Sequence, residues 1–531
     1  MTDFDVIVIG SGPAGVHSAD VALKKGLKVA LISIGIEQEK KFSQIPKKNF
    51  SEIRKSESQQ RSFFLGDHFE KSLTLQNRAG THLTPPREYM IKNSDSIFPT
   101  ESSVFFPLQA TGRGGLGISW GANCFTYDKN ELAKIGIEES VLSEHYQNVN
   151  QMIGVSGDAW SDTKKTFFNQ DDIQPALPVD TNCSNILKKY RKMSRANGLN
   201  NFHLGQSFLS VLTENKDGRS ANGLEDMDFW TNYGASVWRP ETLLTTLNNN
   251  KNFTEITGFL VNKFMETPEC AIITCSSIYD HSSKVFSAKK VFIACGAINS
   301  AKLVINSLGL FNQSFEILCN KNIWIGGINL SMLGKKSRDQ RYSLSQLTGF
   351  HKNDQDEIDL VAHFYSYRSL LLYRLIPQIP LPPRIALYFL RLIVNCLTLI
   401  NVQYESSFEN SEYTWEVNTQ NELKFKKKKS VADGKLLQAL EKKIKNFLLK
   451  LRCVPVSISR PMDGASLHYA GTLAGKNIDP RAKVNSDGAL AGHERIFVVD
   501  SSHWLFLPAK GLTYTLMANA RRITQHALER I

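Results

Sequence analysis

The stretch that decides the fold is residues 5–33, DVIVIGSGPAGVHSADVALKKGLKVALIS. Its apolar start predicts a buried strand over residues 5–9, which runs into a glycine-rich turn. A helical pattern then continues to about residue 25, and a second apolar run predicts a strand over residues 28–32. A strand, a glycine turn, a helix and a second strand in this order are typical of a βαβ unit that binds a dinucleotide.

The glycines of this turn have separate roles in such a unit. Gly10 permits the tight turn, Gly12 lets the backbone approach a pyrophosphate, and Gly15 lets the helix and the strand pack closely. The amino end of the helix adds N–H donors and a positive dipole for the phosphates. Because the GxGxxG pattern stands between a predicted strand and a predicted helix, we expect it to bind a dinucleotide rather than to be a glycine turn without a ligand. The contacts expected here are Gly10, Gly12, Pro13, Ala14 and Gly15.

The end of the second predicted strand departs from the usual pattern. Ser33 stands where an acidic residue commonly hydrogen-bonds the adenosine ribose, and Glu37 is the next carboxylate. We therefore expect Ser33 on the ribose side of the site, with ribose binding weaker or differently made.

The composition is that of a large globular protein. The chain has 531 residues, of which 42% are hydrophobic and 21% are charged, which is enough for two or more domains. Its eight cysteines are scattered without metal-ligand spacing, so we expect a reducing compartment and no metal. The net charge is +12, but the basic residues do not alternate with aromatic residues along one stripe, which argues against nucleic acid as a partner. The start, MTDFDVIVIG, lacks the pattern of a secretory signal, so a cytoplasmic location is expected.

Three further parts of the chain extend the pattern of the first glycine loop. TGRGGLGISWGANCF (residues 111–125) is a second glycine-rich loop, and SAKKVFIACGAINSAKLVINS (residues 287–307) is a further segment that contains a glycine. The carboxyl-terminal part contains SLHYAGTLAG (residues 466–475) and HERIFVVDSSHWLFLPAKGLTYTLMANARRI (residues 493–523). Together with the amino-terminal GSGPAG, these segments resemble, in order and at suitable spacing, the glucose/methanol/choline (GMC) flavin oxidoreductases. The resemblance implies a strand, a glycine and a helix for residues 287–307.

The resemblance implies an α/β fold with an α+β substrate domain. A Rossmann-like FAD-binding domain would be interrupted by a discontinuous substrate domain of one β-sheet and helices. The FAD-binding domain is expected from residues 1–129, 216–310 and 456–531, and the substrate domain from residues 130–215 and 311–455.

The resemblance also implies FAD as the cofactor and indicates its contacts. Val261, in GFLVNKF, would offer backbone atoms to the adenine, and Asp500 would lie near the ribityl chain unless it caps a helix. A helix beginning at Leu512 would point its amino end at the flavin. Because Ser119 stands where some relatives carry a histidine bonded to the flavin, we expect non-covalent FAD. The contacts implied in these later segments are Gly114, Gly115, Ser119, Trp120, Gly121, Ala122, Val261, Ala294, Gly296, Asp500, Gly511, Leu512 and Thr513.

His468 is the expected catalytic residue. It matches the histidine that the family aims at the substrate side of the flavin, where a neutral imidazole accepts a hydroxyl proton while the carbinol loses a hydride. The resemblance thus implies oxidation of a CH–OH group in a small alcohol or sugar-like substrate, with an unknown electron acceptor. A histidine in an apolar stretch can also be a packing residue, and that alternative stays open.

The second active-site residue of the family, a His or an Asn, is missing. Gly511 stands at its position, and neither Lys510 nor His503 can be assigned to replace it. The chain is therefore either an enzyme that uses His468 alone, or a flavin-binding pseudoenzyme or membrane-associated scaffold.

Residues 366–402, SYRSLLLYRLIPQIPLPPRIALYFLRLIVNCLTLINV, form the most apolar region. The run after Pro383 is about as long as a membrane span, but it contains Arg391 and Asn395, so we expect no transmembrane segment. Two interpretations remain: a pair of interfacial helices in peripheral contact with the inner face of the membrane, or a buried helix of the substrate domain. The basic run KFKKKKS (residues 424–430) is expected on a hairpin edge, with an anionic membrane surface as the alternative.

Overall fold

The computed structural model of the chain describes most of its length. The described residues are 2–46, 53, 55–64, 66–67, 85–161, 163–195, 199, 201–224, 232–335, 337, 344–366, 379–428 and 434–529.

Strands and helices occur along the whole of the described chain. The strands are β1 Phe4–Ile9, β2 Val29–Ile32, β3 Thr100–Glu101, β4 Ser156–Gly157, β5 Gln174–Pro175, β6 Phe202–Gln206, β7 Phe253–Ile256, β8 Phe259–Glu266, β9 Ala271–Ser277, β10 Ser283–Ile293, β11 Phe315–Cys319, β12 Asn322–Asn329, β13 Leu347–Lys352, β14 Ile358–Ser366, β15 Leu397–Tyr404, β16 Ser406–Ser407, β17 Tyr413–Val417, β18 Leu423–Lys427, β19 Cys453–Ser459, β20 Tyr469–Ala470, β21 Ile496–Val498 and β22 Phe506–Leu507. The α-helices are α1 Pro13–Lys24, α2 Gln60–Phe64, α3 Ser94–Ile97, α4 Lys129–Ile135, α5 Ser143–Ile153, α6 Lys164–Phe167, α7 Thr181–Ser194, α8 Pro240–Leu247, α9 Ala297–Leu308, α10 Pro383–Ile393, α11 Gly434–Lys450 and α12 Thr513–Ala527. Short 3₁₀ helices include Gly115–Ser119, Leu330–Met332 and Ser501–His503.

The first sheet has seven strands in the order β7-β2-β1-β10-β9-β8, with β21 also paired to β10. Strands β7, β2, β1, β10 and β21 run parallel, and β8 and β9 form an antiparallel addition. Strand β1, helix α1 and strand β2 confirm the predicted βαβ unit, with bounds within one residue of those expected. Strand β10 and helix α9 confirm the predicted strand, glycine and helix of residues 287–307.

The second sheet has six strands in the order β19-β12-β15-β14-β13-β6. Side chains alternate between its faces because successive residues of a strand point to opposite sides. On β14, Leu360, Ala362 and Phe364 belong to a core shared with helices α7 and α11. The intervening residue Val361 belongs instead to the core around Phe125 and Phe167, beside the dinucleotide-binding unit. The six-stranded sheet therefore has helices α7 and α11 on its outer face. Its inner face packs against the hydrophobic core that contains residues of α1 and α12.

A third sheet, of five strands, has the order β20-β11-β17-β18-β3. Strands β17 and β18 confirm the hairpin that was expected beside the basic run, and the outer side of β18 pairs with β3. The antiparallel pairing of β11 with β20 brings Cys319 opposite Tyr469. This sheet shares its hydrophobic core with strands β1 and β10, so it joins the carboxyl-terminal block to the dinucleotide-binding unit.

The structure describes part of the apolar region 366–402. Residues 367–378, where the first of the two interfacial helices was expected, lie outside the described residues. The run after Pro383 is one helix of 11 residues, α10, and after a turn at Asn395 it becomes strand β15 inside the six-stranded sheet. Within the described part of the chain, none of the helices has the length and apolarity that crossing a membrane requires.

The crossing of α1 over β1 predicts different effects at two glycines. An ideal Cβ on Gly15 would lie 1.9 Å from the carbonyl oxygen of Gly10, so Gly15→Ala must push the helix off the strand. We expect it to lower the free energy of unfolding by about 3 kcal/mol. Gly12 has an ordinary backbone conformation (φ −70°), and no described heavy atom would lie within 4 Å of its Cβ, so Gly12→Ala is the matched control with little effect. Urea denaturation of ligand-free protein, followed by circular dichroism, measures both; equal stability of the two variants would contradict the close crossing.

Candidate active site

The first glycine loop lies against the strand–glycine–helix segment of residues 287–307. Gly10 has a φ of +108°, and a Cβ there would lie 2.4 Å from the carbonyl oxygen of Ala294. The loop ends at Gly12, the N-cap of α1, which has Pro13 in its first turn and no acidic residue there. The first N–H groups of α1 have no side-chain cap among the described residues, so they form an electropositive end beside the open space at Gly12.

The second glycine loop meets the first one. A Cβ on Gly115 would lie 3.3 Å from the Cα of Gly12, and the Gly114 N–H donates to Ser11 Oγ at 3.1 Å. Two arginines hold this loop: Arg113 makes a two-point ion pair with Glu255, at 2.6 and 2.7 Å. The two loops that were expected to share one cofactor are thus in contact.

The second arginine, Arg87, donates to the carbonyl oxygen of Ile118 at 2.6 Å. One turn further, Trp120 Nε1 donates to the carbonyl oxygen of Trp238 at 2.8 Å, and the two indole rings meet edge to face. Trp120 stays half-buried, so one side of its ring is accessible as a wall of the site, next to Gly121 and Ala122. Arg87 and Glu255 have no motif around them, and Arg113 lies within the second glycine-rich segment, but the sequence analysis assigned no role to any of the three.

Two hydroxyls near these loops have no partner. Ser33 Oγ and Ser119 Oγ are both buried and make no hydrogen bond with any described residue. Strand β8 begins beside Ser33, because the Phe259 N–H donates to the Ser33 carbonyl oxygen at 3.2 Å, and Val261 follows two residues later on β8. Ser33 and Val261, which were expected on the adenosine side, therefore lie close together.

These features fit FAD. Gly12 and the amino end of α1 offer donors and space for a pyrophosphate, and Ser33 offers an unpaired hydroxyl at the end of β2 for a ribose. Gly296 is exposed, with no described atom within 4 Å of a Cβ, so its backbone can approach a flat ring. Ser119 cannot form the covalent bond that a histidine forms.

The Asp500 side chain accepts hydrogen bonds from two segments of the chain and holds them together. Its Oδ2 accepts from the Gly296 N–H at 2.9 Å and from Ser300 Oγ, and its Oδ1 accepts from the N–H and Oγ of Ser502 at 3.1 and 2.7 Å. It thereby caps the 3₁₀ helix Ser501–His503, as the alternative interpretation of this aspartate expected. Burial raises the pKa of the Asp500 carboxyl, whereas these hydrogen bonds lower it. With four protein donors on its two oxygens, Asp500 positions Gly296.

His468 is held by a residue that sequence reasoning missed, Asn320. The pairing of β11 with β20 brings the residue after Cys319 opposite the residue before Tyr469, and His468 Nδ1 lies 3.1 Å from Asn320 Oδ1. Asn320 Nδ2 donates to the carbonyl oxygens of Tyr404 and Pro508, at 2.6 and 3.0 Å. Both amide protons are used, so Oδ1 is the atom that faces the imidazole, and it can only accept.

The tautomer of His468 follows from this contact. Nδ1 must carry the proton, which leaves the lone pair of Nε2 free to accept another. Burial lowers the pKa of His468 to about 4, so the ring is neutral throughout the neutral range. The ring lies deep in the protein but is partly accessible, and the preceding Leu467 has a φ of +64°, a conformation that a bulky residue rarely adopts.

An aromatic ring lies beside the position of the missing partner. A Cβ on Gly511 would lie 3.4 Å from the ring of Phe125. Helix α12 begins two residues later at Thr513, with Leu512 as its N-cap, and no described side chain caps its first N–H groups. The helix expected near Leu512 is confirmed, with its amino end beside Gly511.

Lys510 is excluded as a replacement for the missing partner. Its fully buried ammonium donates to Glu131 Oε2 at 2.7 Å and to the carbonyl oxygens of Thr166 and Thr126 at 2.9 and 3.2 Å. All three of its protons are therefore used within the protein. His503 is also buried, and burial followed by the charge of Arg522 lowers its pKa to about 3, so it has no assigned role.

A second imidazole reaches the site from strand β14. His363 is buried, and its ring centroid lies 5.9 Å from that of Phe125, the ring that lies beside Gly511. Its Nδ1 lies 3.3 Å from Thr348 Oγ1. Burial, and then the proximity of His468, lowers the pKa of His363 to about 3. No sequence motif marks this histidine, because it comes from the six-stranded sheet rather than from a glycine segment.

The inner face of the six-stranded sheet is polar around His363. Asn401 lies opposite His363 in the register of β14 and β15, and Gln403 is the next residue of β15 on the same face. Gln403 Nε2 donates to Asn401 Oδ1 at 3.1 Å. The remaining polar atoms, Asn401 Nδ2 and Gln403 Oε1, are buried and have no partner among the described residues. This wall carries amides and an imidazole, where a packed core would carry aliphatic side chains.

Comparison with known proteins supports the fold. No protein-family model matches the chain, and no curated protein matches its sequence. Among solved structures, the crystal structure of pyridoxine 4-oxidase from Mesorbium loti is similar, with a TM-score of 0.57 over 98% of each chain and 14% sequence identity. At this identity the likeness shows the fold alone. The predicted fold class is confirmed: the chain has a mixed α/β fold that it shares with this neighbour over nearly its whole length.

The Asn320 contact predicts the protonation of His468. With histidine selectively labelled with ¹⁵N, NMR should show one neutral tautomer for His468, with the proton on Nδ1, from pH 8 down to about pH 5, and protonation near pH 4. Asn320→Leu removes the acceptor and should allow both tautomers, whereas Asn320→Asp adds a carboxylate and should raise the pKa of His468. The His468→Gln variant assigns the signal. Titration of His468 near its ordinary value of 6.5 in the parent protein would contradict this geometry.

Proposed function

We propose that this protein is an FAD-dependent oxidoreductase that oxidises a CH–OH group, with His468 as the base. The observation that carries the proposal is His468 itself: its Nδ1 is held by Asn320 and its Nε2 is free and neutral, in a chain whose two glycine loops fit FAD. The named neighbour of the same fold, pyridoxine 4-oxidase, is by its name an oxidase.

Bound FAD would supply the acceptor for the hydride of the carbinol. The residues proposed to hold it are the glycine-loop residues with Ser33, Val261, Trp120 and Gly296, together with the uncapped amino end of α12. Asp500 would act indirectly, by holding the Gly296 backbone.

His468 would take the hydroxyl proton at Nε2. An imidazole with a pKa of about 4 is a weak base, but it needs no prior deprotonation at neutral pH and lies where water is largely excluded. Proton transfer would then place a positive charge on the ring, which the fixed Oδ1 of Asn320 stabilises through the Nδ1 proton.

We propose His363 as the second imidazole of the site. It lies close enough to His468 for that ring to oppose protonation of His363, and it contacts Phe125, which lies beside Gly511. The side chain that the family places on the carboxyl-terminal segment would here come from β14. A neutral imidazole at this point can hydrogen-bond the substrate oxygen and orient it toward His468.

The amide wall favours an uncharged, hydroxyl-bearing substrate. The unpaired Asn401 Nδ2 and Gln403 Oε1 provide one donor and one acceptor, a set that matches hydroxyl groups. Leaving both atoms buried without a partner costs roughly 1 to 3 kcal/mol each, and a polyhydroxylated substrate would restore those hydrogen bonds. A sugar-like or polyol substrate is therefore proposed ahead of a simple alkyl alcohol.

Cofactor binding is the first test. The purified protein should show the absorbance of a flavoprotein, and acid precipitation should release all of its FAD, because Ser119 cannot form the histidyl bond. Gly12→Val should abolish FAD binding, since its side chain would occupy the space for the pyrophosphate. Gly26→Asn is the control that should keep its FAD, because Gly26 has a φ of +77°, which Asn tolerates, and no described atom would lie within 4 Å of a Cβ there. Flavin that stays in the acid pellet, or full occupancy in Gly12→Val, would contradict the proposed site.

The rate of substrate oxidation is the second test, measured as anaerobic loss of flavin absorbance with a panel of alcohols, polyols and sugars. His468→Ala should lower the rate about 10²- to 10⁴-fold, and His363→Gln by a smaller factor of about 10 to 100, both with unchanged FAD content. His203→Gln, at a histidine on strand β6 at the edge of the same sheet, is the matched control. In the parent protein the rate should fall as the pH drops through about 4, where His468 becomes protonated.

Two outcomes decide against parts of this proposal. If His468→Ala oxidises substrate as fast as the parent, His468 is a packing residue. If His468→Ala is slow but His363→Gln is as fast as the parent, the site works with one imidazole. An FAD-loaded protein that none of the panel reduces would favour the alternative, a flavin-binding pseudoenzyme.

A further inference from the structure

Helix α10 exposes four large apolar side chains to solvent. Ile385, Tyr388, Phe389 and Leu392 are 47%, 63%, 51% and 61% exposed, and their spacing of three or four residues places them on one face of the helix. We call these four residues the apolar face of α10. A different side of the helix, with Ala386 and Leu390, is buried against the protein. The helix is thus held by one apolar side while a second apolar side is left uncovered.

The charges beside the apolar face are all positive. Arg384 and Arg391 are exposed on the same helix, and no ion pair joins either of them to a described residue. From residue 366 to residue 404 the sequence contains no Asp or Glu. Whatever covers the apolar face therefore meets cations at its border.

A neighbouring turn extends the surface. Leu330 and Leu333 are 47% and 52% exposed at the 3₁₀ helix that follows β12. The turn is tied to the carboxyl end of α10, because Asn395 Nδ2 donates to the carbonyl oxygen of Lys335 at 3.2 Å. Lys335 is exposed as well. This turn therefore has exposed apolar side chains beside a positive charge, as α10 does.

This pattern matches a lipid bilayer better than a second copy of the chain. A symmetric contact between two α10 helices would bring Arg384 and Arg391 of both copies together, without an acidic residue of this segment to pair with them. An anionic bilayer offers hydrocarbon for the apolar face and phosphate groups for the arginines. Tyr388 has the ring and hydroxyl that suit the boundary between these two layers.

We propose that α10 docks this protein on the surface of an anionic membrane, with its apolar face among the acyl chains and its arginines at the headgroups. The connection that contains α10 joins β14 to β15, the strands that carry His363 and Asn401. His363 is three residues from the end of β14, about 10 Å along the strand. Docking would therefore hold the candidate site close to the bilayer, whether or not the site oxidises alcohols.

Vesicle binding tests the proposal on the full-length, FAD-loaded protein. The protein should co-sediment with phosphatidylglycerol vesicles and much less with phosphatidylcholine vesicles. The double variant Phe389→Ser/Leu392→Ser should lower the partition coefficient at least tenfold. Arg384→Gln/Arg391→Gln should lower it on phosphatidylglycerol by about fivefold for each arginine, and leave weak binding to phosphatidylcholine unchanged. Trp160→Ser, which removes an aromatic side chain that is 95% exposed elsewhere, is the control that should bind like the parent.

Folding is checked by FAD content and circular dichroism, which the variants should leave unchanged. The proposal is overturned if the parent protein does not bind phosphatidylglycerol vesicles, or if the Phe389→Ser/Leu392→Ser variant binds them as well as the parent. Light scattering covers the alternative occupant. A dimer that this double variant converts to a monomer, without vesicle binding by the parent, would assign the apolar face of α10 to a second copy of the chain.

Discussion

The structure depends on the close crossing of helix α1 over the end of strand β1, where the backbones approach so closely that no side chain fits. Gly15 of α1 lies against the carbonyl oxygen of Gly10, and Gly10 lies against the carbonyl oxygen of Ala294, so that a Cβ at either glycine would overlap backbone. This contact sets the distance between α1, β1 and the end of β10. It leaves the amino end of α1 uncapped beside Gly12, and it directs the chain after Ala294 to Gly296, which Asp500 then holds.

The base is positioned by a different kind of constraint, the register of a short strand pair. Two residue pairs between β11 and β20 are enough to set Asn320 opposite His468. Asn320 in turn is oriented by two backbone carbonyl groups, which accept from its Nδ2 and leave its Oδ1 facing His468. These carbonyl groups thus decide the tautomer of His468 through Asn320. A slip of one residue in this pairing would turn His468 to the other side of the strand.

The candidate site keeps charge away from the reacting atoms. His468 and His363 are neutral because burial disfavours their protonated forms, and the ammonium of Lys510 is turned away to Glu131. The same burial links stability to pH: the unfolded chain binds protons at these histidines below about pH 6.5, whereas in the folded protein His468 does so only at about pH 4 and His363 at about pH 3. The contribution of these two histidines to stability is therefore complete above pH 6.5 and is lost as the pH decreases through that window.

Local sequence determined the parts of this protein that are built from neighbouring residues. The βαβ unit and the β17–β18 hairpin follow from periodicity and turn residues within about 30 residues of chain, and the β10–glycine–α9 segment and the start of α12 follow from the resemblance of short segments to one family. Tertiary structure alone decided the rest. Asn320 and His468 are 148 residues apart, His363 comes from another sheet, and the apolar run after Pro383 divides into a helix and a strand because the strand completes the six-stranded sheet. Such contacts depend on which strands pair, and strand pairing is set by burial across the whole chain rather than by any local pattern.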